Sequence, residues 1–161
     1  MRIGLGYDVH ALAEGRKLIL GGVEVEYERG LEGHSDADVL THAVADAVLG
    51  ALRAGDLGKH FPDTDEQYRG ADSLALLGQV AAMARAQGWE VVDVDTVIIA
   101  QQPKLAPYRE QMQLNVSAAL GIAPDAVGVK ATTTEWLGFE GRGEGIAAQA
   151  VALLEMRSSA V

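Results

Sequence analysis

Asp8 and His10 stand two residues apart in a run, Arg2 to His10, where Ile3, Leu5, Tyr7 and Val9 alternate with Gly4, Gly6, Asp8 and His10. A period of two is that of a β-strand, so an acid and an imidazole leave the same face near the strand's end and can converge on one cation. His42 is the best third ligand. One carboxylate and two imidazoles suit zinc, and three protein ligands leave a position for water or a phosphoryl oxygen. The plainer reading is a solvated or hydrogen-bonded acid and histidine at a strand end, with His42 on a helix surface. Asp38, His42 and Asp46 lie four apart on one side of that helix, where either Asp has the spacing to hold the far imidazole nitrogen. Solvation is the simpler account of at least one of them.

His34 and Ser35 stand just before the same helix, where backbone donors and the positive end of the dipole favour a phosphate. A plain cap explains Ser35 equally well. Lys130 to Glu135 joins a strand end, the hydroxyls of Thr132, Thr133 and Thr134 and one carboxylate, a set suited to orienting phosphates and recruiting a hard cation such as Mg²⁺. Threonine runs also arise from strand propensity alone. Lys104, in a loop after a strand, either meets a phosphate or nucleotide or is simply solvated.

These groups need elements to hold them. Between Asp36 and Leu52, Val39, Leu40, Ala43, Val44, Ala47, Val48, Ala51 and Leu52 recur at helical spacing, and Ser35 or Asp36 can cap the start. Further helices are predicted over Asp72 to Gln87 and Pro107 to Leu120, the latter stopping at Gly121. Val91 to Ala100 and Val127 to Ala131 read as strands. Lys17 to Leu20 and Val23 to Tyr27 flank Gly21 and Gly22, whose freedom at positive φ suits a hairpin turn. Gly55 to Gly70 is too rich in Gly, Pro and Asp for a regular element, and its length favours a functional loop. Gly145 to Leu154 alternates like a strand, but its alanines lean helical by propensity. Strands interleaved with helices indicate a two-layer α/β sandwich.

The 161 residues suit a single domain, and a formal charge of -10 repels nucleic acid and anionic membranes, so a phosphate ligand must be held by local donors or metals. The chain has no cysteine, which excludes disulfides and thiolate metal sites and fits a reducing compartment. No signal peptide or span of roughly 20 apolar residues is evident. A cytoplasmic protein is expected.

GYDVH at Gly6 to His10, HSDADVLTH at His34 to His42, GDLGKHFPDTD at Gly55 to Asp65, AQQPK at Ala100 to Lys104 and KATTTEWLGFEGRGEG at Lys130 to Gly145 occur in this order. Together they closely resemble the 2-C-methyl-D-erythritol 2,4-cyclodiphosphate synthase family over nearly the whole chain. The resemblance implies zinc on Asp8, His10 and His42, Mg²⁺ or Mn²⁺ on Glu135, and transition-state stabilisation by His34 and Thr133. It implies that Asp8, Val9, His10 and His34 bind substrate and that Ser35, Asp56, Leu57, Gly58 and the segment Phe61, Pro62, Asp63, Thr64 and Asp65 surround the methylerythritol phosphate. Ala100, Gln101, Gln102, Pro103, Lys104, Leu105 and Ala106, with Thr132, Thr133, Thr134 and Glu135, form the cytidine diphosphate side.

The same resemblance implies one domain over 1–161, with a mixed four-stranded sheet, helices on one face and a small hairpin, the sheets facing the axis of a homotrimer. The last segment is then a strand, against propensity. Active sites are shared between neighbouring subunits. Phe139 and Arg142 match positions lining a central cavity for an isoprenoid diphosphate, although Gln149 and Tyr7 depart from the common residues there. A metal-dependent phosphohydrolase and a non-catalytic trimeric binder of isoprenoid diphosphates are the competing readings.

Overall fold

The computed structural model describes residues 1–157, so residues 158–161 of the expected domain lie outside it. β1 (Arg2–Glu14) leads into a hairpin of β2 (Leu18–Leu20) and β3 (Val23–Val25), then β4 (Arg29–Leu31). α1 (Val39–Leu52), the short α2 (Leu57–His60), α3 (Ser73–Ala86) and β5 (Trp89–Ile99) follow. α4 (Arg109–Leu120), β6 (Val127–Thr132), the short α5 (Gly138–Gly141) and β7 (Gly145–Met156) complete the order.

Among the described residues the main sheet has five strands, β4-β1-β7-β5-β6, not the expected four. The added strand is β4, which pairs Leu31 with Leu12 at the far end of β1. Only β5 and β6 run parallel, so the sheet is mixed. α1 packs on β1 and β7, α3 on α1 and β5, and α4 on α3 and β6, while β2 and β3 form a separate two-stranded sheet.

β7 is a strand despite its alanines, since it is hydrogen-bonded to β1 on one side and β5 on the other. Tertiary pairing outweighs helix propensity here. Ile146, Ala148, Ala150, Ala152 and Leu154 form its buried face, largely of small side chains, against α1. β1 gives the same helix still less room to clear. A Cβ on Gly4 would lie 1.9 Å from the Ala47 carbonyl oxygen, and one on Gly6 1.9 Å from that of Ala43. Such contacts are impossible, so glycine is required for α1 to lie against the backbone of β1.

The glycine face of β1 is thus the inner one. Its apolar face, Ile3, Leu5, Tyr7 and Val9, points away from the helices and is 42–69% exposed. Leu5 lies opposite Val151, which is exposed too, so this apolar surface continues onto β7.

α1 begins three residues later than expected. Its cap is Asp38, whose carboxylate accepts from the Thr41 N–H at 3.0 Å, and Ser35 and Asp36 stay outside the helix. Asp72 caps α3, and α4 ends at Gly121 with φ 74°, as its sequence implies, although Pro107 sits in a preceding 3₁₀ turn, Ala106–Tyr108. No helix among the described residues is long and apolar enough to cross a membrane.

Candidate functional site

Because α1 lies directly on β1, His42 on the helix meets the inward-facing Asp8 and His10 of the strand. Asp8 Oδ2 lies 2.9 Å from His10 Nε2 and 3.0 Å from His42 Nδ1, and the two nitrogens are 3.1 Å apart. A tetrahedral zinc with bonds near 2.0–2.1 Å has ligand-to-ligand edges of about 3.3 Å. The three donors therefore form one face of a coordination tetrahedron, slightly contracted.

His10 Nδ1 is 2.6 Å from the Glu32 carbonyl oxygen, which can only accept. With a neutral ring the imidazole proton sits there, which leaves Nε2 as the nitrogen able to bind a metal beside the other two donors. β4, the strand not anticipated, places this carbonyl, since Glu32 follows it and donates its N–H to the Ala11 carbonyl at 2.9 Å. On the far side of His42, Nε2 approaches Ser73 Oγ at 2.9 Å and Ser35 Oγ at 3.2 Å. Burial pushes the Asp8 carboxyl upward, but the hydrogen bonds and charges of both histidines outweigh it and hold it at about 2. Burial likewise works against a charged His10, yet Asp8 raises its pKa above the ordinary value. These shifts describe the chain without metal.

Neither Asp38 nor Asp46 holds His42, contrary to the helical spacing. Asp38 is fully buried and accepts from the N–H groups of Gly21 at 2.9 Å and Gly22 at 2.7 Å and from the Thr41 hydroxyl at 2.8 Å, tying the hairpin to α1. Asp46 accepts from the Leu57 N–H at 2.7 Å and anchors the start of α2. Shared helix side did not mean shared partner, because both carboxylates turn to backbone donors. Ser73 is the contact that spacing missed, being 31 residues from His42.

The triad opens on a cleft of about 580 Å³, lined also by Gly33, His34, Ser35, Asp46, Asp56, Leu57, Gly58, Phe61, Asp63, Tyr68 and Leu76. Four of its wall residues are aspartates, and none is Lys or Arg. A phosphate entering this wall needs a cation to offset the carboxylates. Pro62, Thr64 and Asp65 belong to the bordering loop without lining the cleft, and the Asp65 carbonyl lies 3.0 Å from His34 Nε2. Val9 points to the opposite face of the sheet, leaving only its backbone on the triad side.

A second cleft, of about 330 Å³, gathers Ala100, Gln101, Pro103, Lys104, Leu105, Ala106, Arg109, Ala131, Thr132 and Thr133. Arg109, at the start of α4, joins Lys104 as a cation that the sequence did not single out. Gln102, Thr134 and Glu135 lie outside its wall. The Glu135 carboxylate is exposed and accepts from the Thr133 hydroxyl at 3.1 Å. Glu135 and Trp136 both adopt positive φ, 55° and 67°, in the left-handed region that non-glycine residues rarely occupy. Gln101 accepts from the Trp136 N–H at 3.0 Å and braces this turn. His34 lines the first cleft and Thr133 the second, so no single wall of this chain holds both. Phe139 is half-buried beside Gly145, and the exposed Arg142 pairs with Glu144 at 2.8 Å.

A family model described as the YgbB family matches residues 1–155. The 2-C-methyl-D-erythritol 2,4-cyclodiphosphate synthase of Geobacter metallireducens is 64% identical over 157 residues, covering 98% of this chain and 100% of that protein. The synthase of the same name from Geobacillus kaustophilus is 62% identical over 96% of this chain and 98% of its own length. Among solved structures, the bifunctional IspDF from Campylobacter jejuni superposes with a TM-score of 0.93 at 42% identity. It is covered over 96% of this chain, which spans 42% of that larger protein. A CDP-bound 2C-methyl-D-erythritol-2,4-cyclodiphosphate synthase gives 0.87 at 36% identity, over 96% of this chain and 100% of its own. With the family model and relatives of such identity matching nearly end to end, the chain belongs to the YgbB family, that of the 2-C-methyl-D-erythritol 2,4-cyclodiphosphate synthases.

Proposed function

We propose that this protein converts 4-diphosphocytidyl-2-C-methyl-D-erythritol 2-phosphate into 2-C-methyl-D-erythritol 2,4-cyclodiphosphate and CMP, as a lyase of the non-mevalonate route to isoprenoid precursors. The observation that carries this reading is the Asp8, His10 and His42 triad at a cleft whose wall has four aspartates, Asp8 among them, and no Lys or Arg. Zinc bound by these residues, with Mg²⁺ or Mn²⁺ at Glu135, supplies Lewis-acid neutralisation of phosphoryl charge.

An oxygen of the 2-phosphate attacks the β-phosphorus, the bond from that phosphorus to the bridging oxygen breaks, and CMP leaves with the bond's electrons. The nucleophile is already anionic, so no strong general base is needed and the chain's task is folding the substrate in line. Asp56, Leu57, Gly58 and Phe61 to Asp65, with Ser35, bind the methylerythritol phosphate. Ala100 to Ala106 and Thr132 to Glu135 bind the cytidine diphosphate side. His34, held by the Asp65 carbonyl, and Thr133, beside Glu135, stabilise the transition state.

The shared-site trimer is supported by the separation of the two binding sets into two clefts and by the exposed apolar sheet face. In that assembly Phe139 and Arg142 border a central cavity able to take an isoprenoid diphosphate. The protein is read as one cytoplasmic domain, residues 1–161. Mass spectrometry of the product made in ¹⁸O-water tests the reaction. Cyclic diphosphate and CMP, both free of label, are expected. Labelled phosphate products would instead identify a phosphohydrolase, and intact substrate in the presence of both metals a binding protein.

A further inference from the structure

His42 offers Nδ1 to the metal side only if its single proton sits on Nε2. Two serines touch Nε2, and only one of them has its proton committed elsewhere. The Ser73 hydroxyl donates to Asp36 Oδ1 in a short contact. Having spent its one proton there, Ser73 presents a lone pair to Nε2 at 2.9 Å, and Nε2 must donate. The Asp36 carboxylate is itself fixed by the N–H groups of Ser73 at 3.1 Å and Asp38 at 3.2 Å. Ser35 is different. Its Oγ accepts from the Ala37 N–H at 3.2 Å and keeps a free proton that it can give to Nε2, which would move the imidazole proton to Nδ1 and block the ligand.

We infer that Asp36 and Ser73 form a positioning relay, Asp36 to Ser73 to His42 Nε2, that sets the His42 tautomer so that Nδ1 can bind zinc beside Asp8 and His10. The relay rests on the metal-centre reading above and adds two residues to it. Ser73 is 1% exposed and begins α3, and Asp36 lies in the turn before α1. The starts of two helices are thereby locked around one imidazole. Outer partners of this kind typically change metal affinity by about 10- to 100-fold.

The test is zinc affinity, measured by chelator competition on purified wild-type, Ser73→Ala, Asp36→Asn and Ser35→Ala chains, with ¹⁵N-histidine spectra of the metal-free proteins reporting the His42 tautomer. Ser73→Ala should weaken zinc by about 10- to 100-fold and shift His42 toward the Nδ1–H form, because Ser35 is then the remaining partner of Nε2 and the Asp8 carboxylate, 3.0 Å from Nδ1, accepts a proton placed there. Asp36→Asn should weaken zinc severalfold, since an amide oxygen still accepts from Ser73 but without charge. Ser35→Ala should bind zinc within about twofold of wild type. A Ser73→Ala protein with wild-type affinity and an Nε2–H tautomer overturns the relay while leaving the metal centre standing. Should Ser73→Ala fail to fold by circular dichroism, Asp36→Asn decides, and unchanged affinity there overturns the relay. A wild-type chain that takes up no zinc overturns the metal centre and the relay together.

Discussion

The two clefts are built on different principles. In the first, both imidazoles of the triad are set by a contact at their far nitrogen: His10 by the Glu32 carbonyl and His42 by two serines. These side chains lie between a strand and a helix that glycines allow to touch. In the second, Thr132, Thr133 and Glu135 are exposed, and Glu135 stands on a turn of two left-handed non-glycine residues braced by Gln101. One half is preorganised inside the fold, and the other stores backbone strain at an open surface. Preorganisation fits a resident ion, and exposure fits a surface completed by a neighbour and a ligand.

Breaking the buried half should have the largest effect. His42→Ala removes a donor from the zinc set, and several kcal/mol of lost charge stabilisation corresponds to a rate loss on the order of a thousandfold. Zinc content should fall with activity while the fold persists. A variant with full zinc and normal turnover would take His42 out of the site. Glu135→Gln, in the open half, should cut activity by about 10- to 100-fold, with partial rescue by added Mg²⁺ or Mn²⁺ and unchanged zinc. An unaltered metal titration would give Glu135 another role.

If the two halves meet only across a subunit boundary, inactive His42→Ala and Glu135→Ala chains should complement each other in mixed trimers. Random assembly from equal amounts pairs an intact metal half with an intact Glu135 half at about a quarter of interfaces, so activity should return to roughly that fraction of wild type. Native mass spectrometry verifies mixing. Mixed trimers as inactive as either parent would place the whole site within one chain.

The halves also differed in how far the sequence revealed them. A strand-spaced Asp8 and His10 with a helical His42 points to the triad that the fold brings together, because the placement of these side chains follows local periodicity. Ser73 stayed hidden, since a serine at a helix start reads as a cap and its link to His42 exists only once α3 meets α1. Ser35, Asp36 and Asp38 are all good caps by type. What selects Asp38 is the hairpin, whose Gly21 and Gly22 N–H groups bind the same carboxylate. Alternation in β1 indicated a strand but not its inner face, which glycine occupies because α1 needs the space. β4 is three residues long with no periodicity to read. The alanines of β7 suggested a helix when their small size serves packing beneath α1.

The buried half should respond to pH in opposite senses with and without metal. Asp8 is lowered from 3.8 to about 2, so its contribution to stability is present above 3.8 and is lost as pH falls through about 2. His10 is raised from 6.5, so its contribution is present below 6.5 and is lost as pH rises through the raised value. The metal-free chain therefore gains most from this pair between pH 3.8 and 6.5. Zinc needs the His10 lone pair and competes with the proton there, by up to about tenfold in affinity per pH unit. Thermal melts of zinc-loaded and stripped protein from pH 5.5 to 8.5, on the order of one measurement per half unit, should show a stabilisation by zinc that grows with pH. A constant difference would mean that proton and metal do not compete at His10.

The smallest expected effect tests the strain in the open half. Trp136 sits at φ 67° and is 68% exposed, and the Trp136 backbone packs so closely over Gly141 that a Cβ there would lie 2.2 Å from its carbonyl carbon. The turn is thus held in place by its surroundings rather than preferred by its residues. Trp136→Gly removes a left-handed penalty of about 1–2 kcal/mol, offset in part by the greater freedom of glycine in the unfolded chain. The net gain should raise the melting temperature by about 1–3 °C. Zinc uptake should not change, because the turn supplies none of the three ligands. Affinity for CDP should nonetheless fall severalfold, since a turn that can relax no longer holds Thr133 and Glu135 ready for the ligand. Isothermal titration with CDP and Mg²⁺ beside a thermal melt reads both quantities. Higher stability with undiminished CDP affinity would show that the strain has no part in binding, and lower stability would show that Trp136 makes contacts in the assembled protein that outweigh its backbone cost.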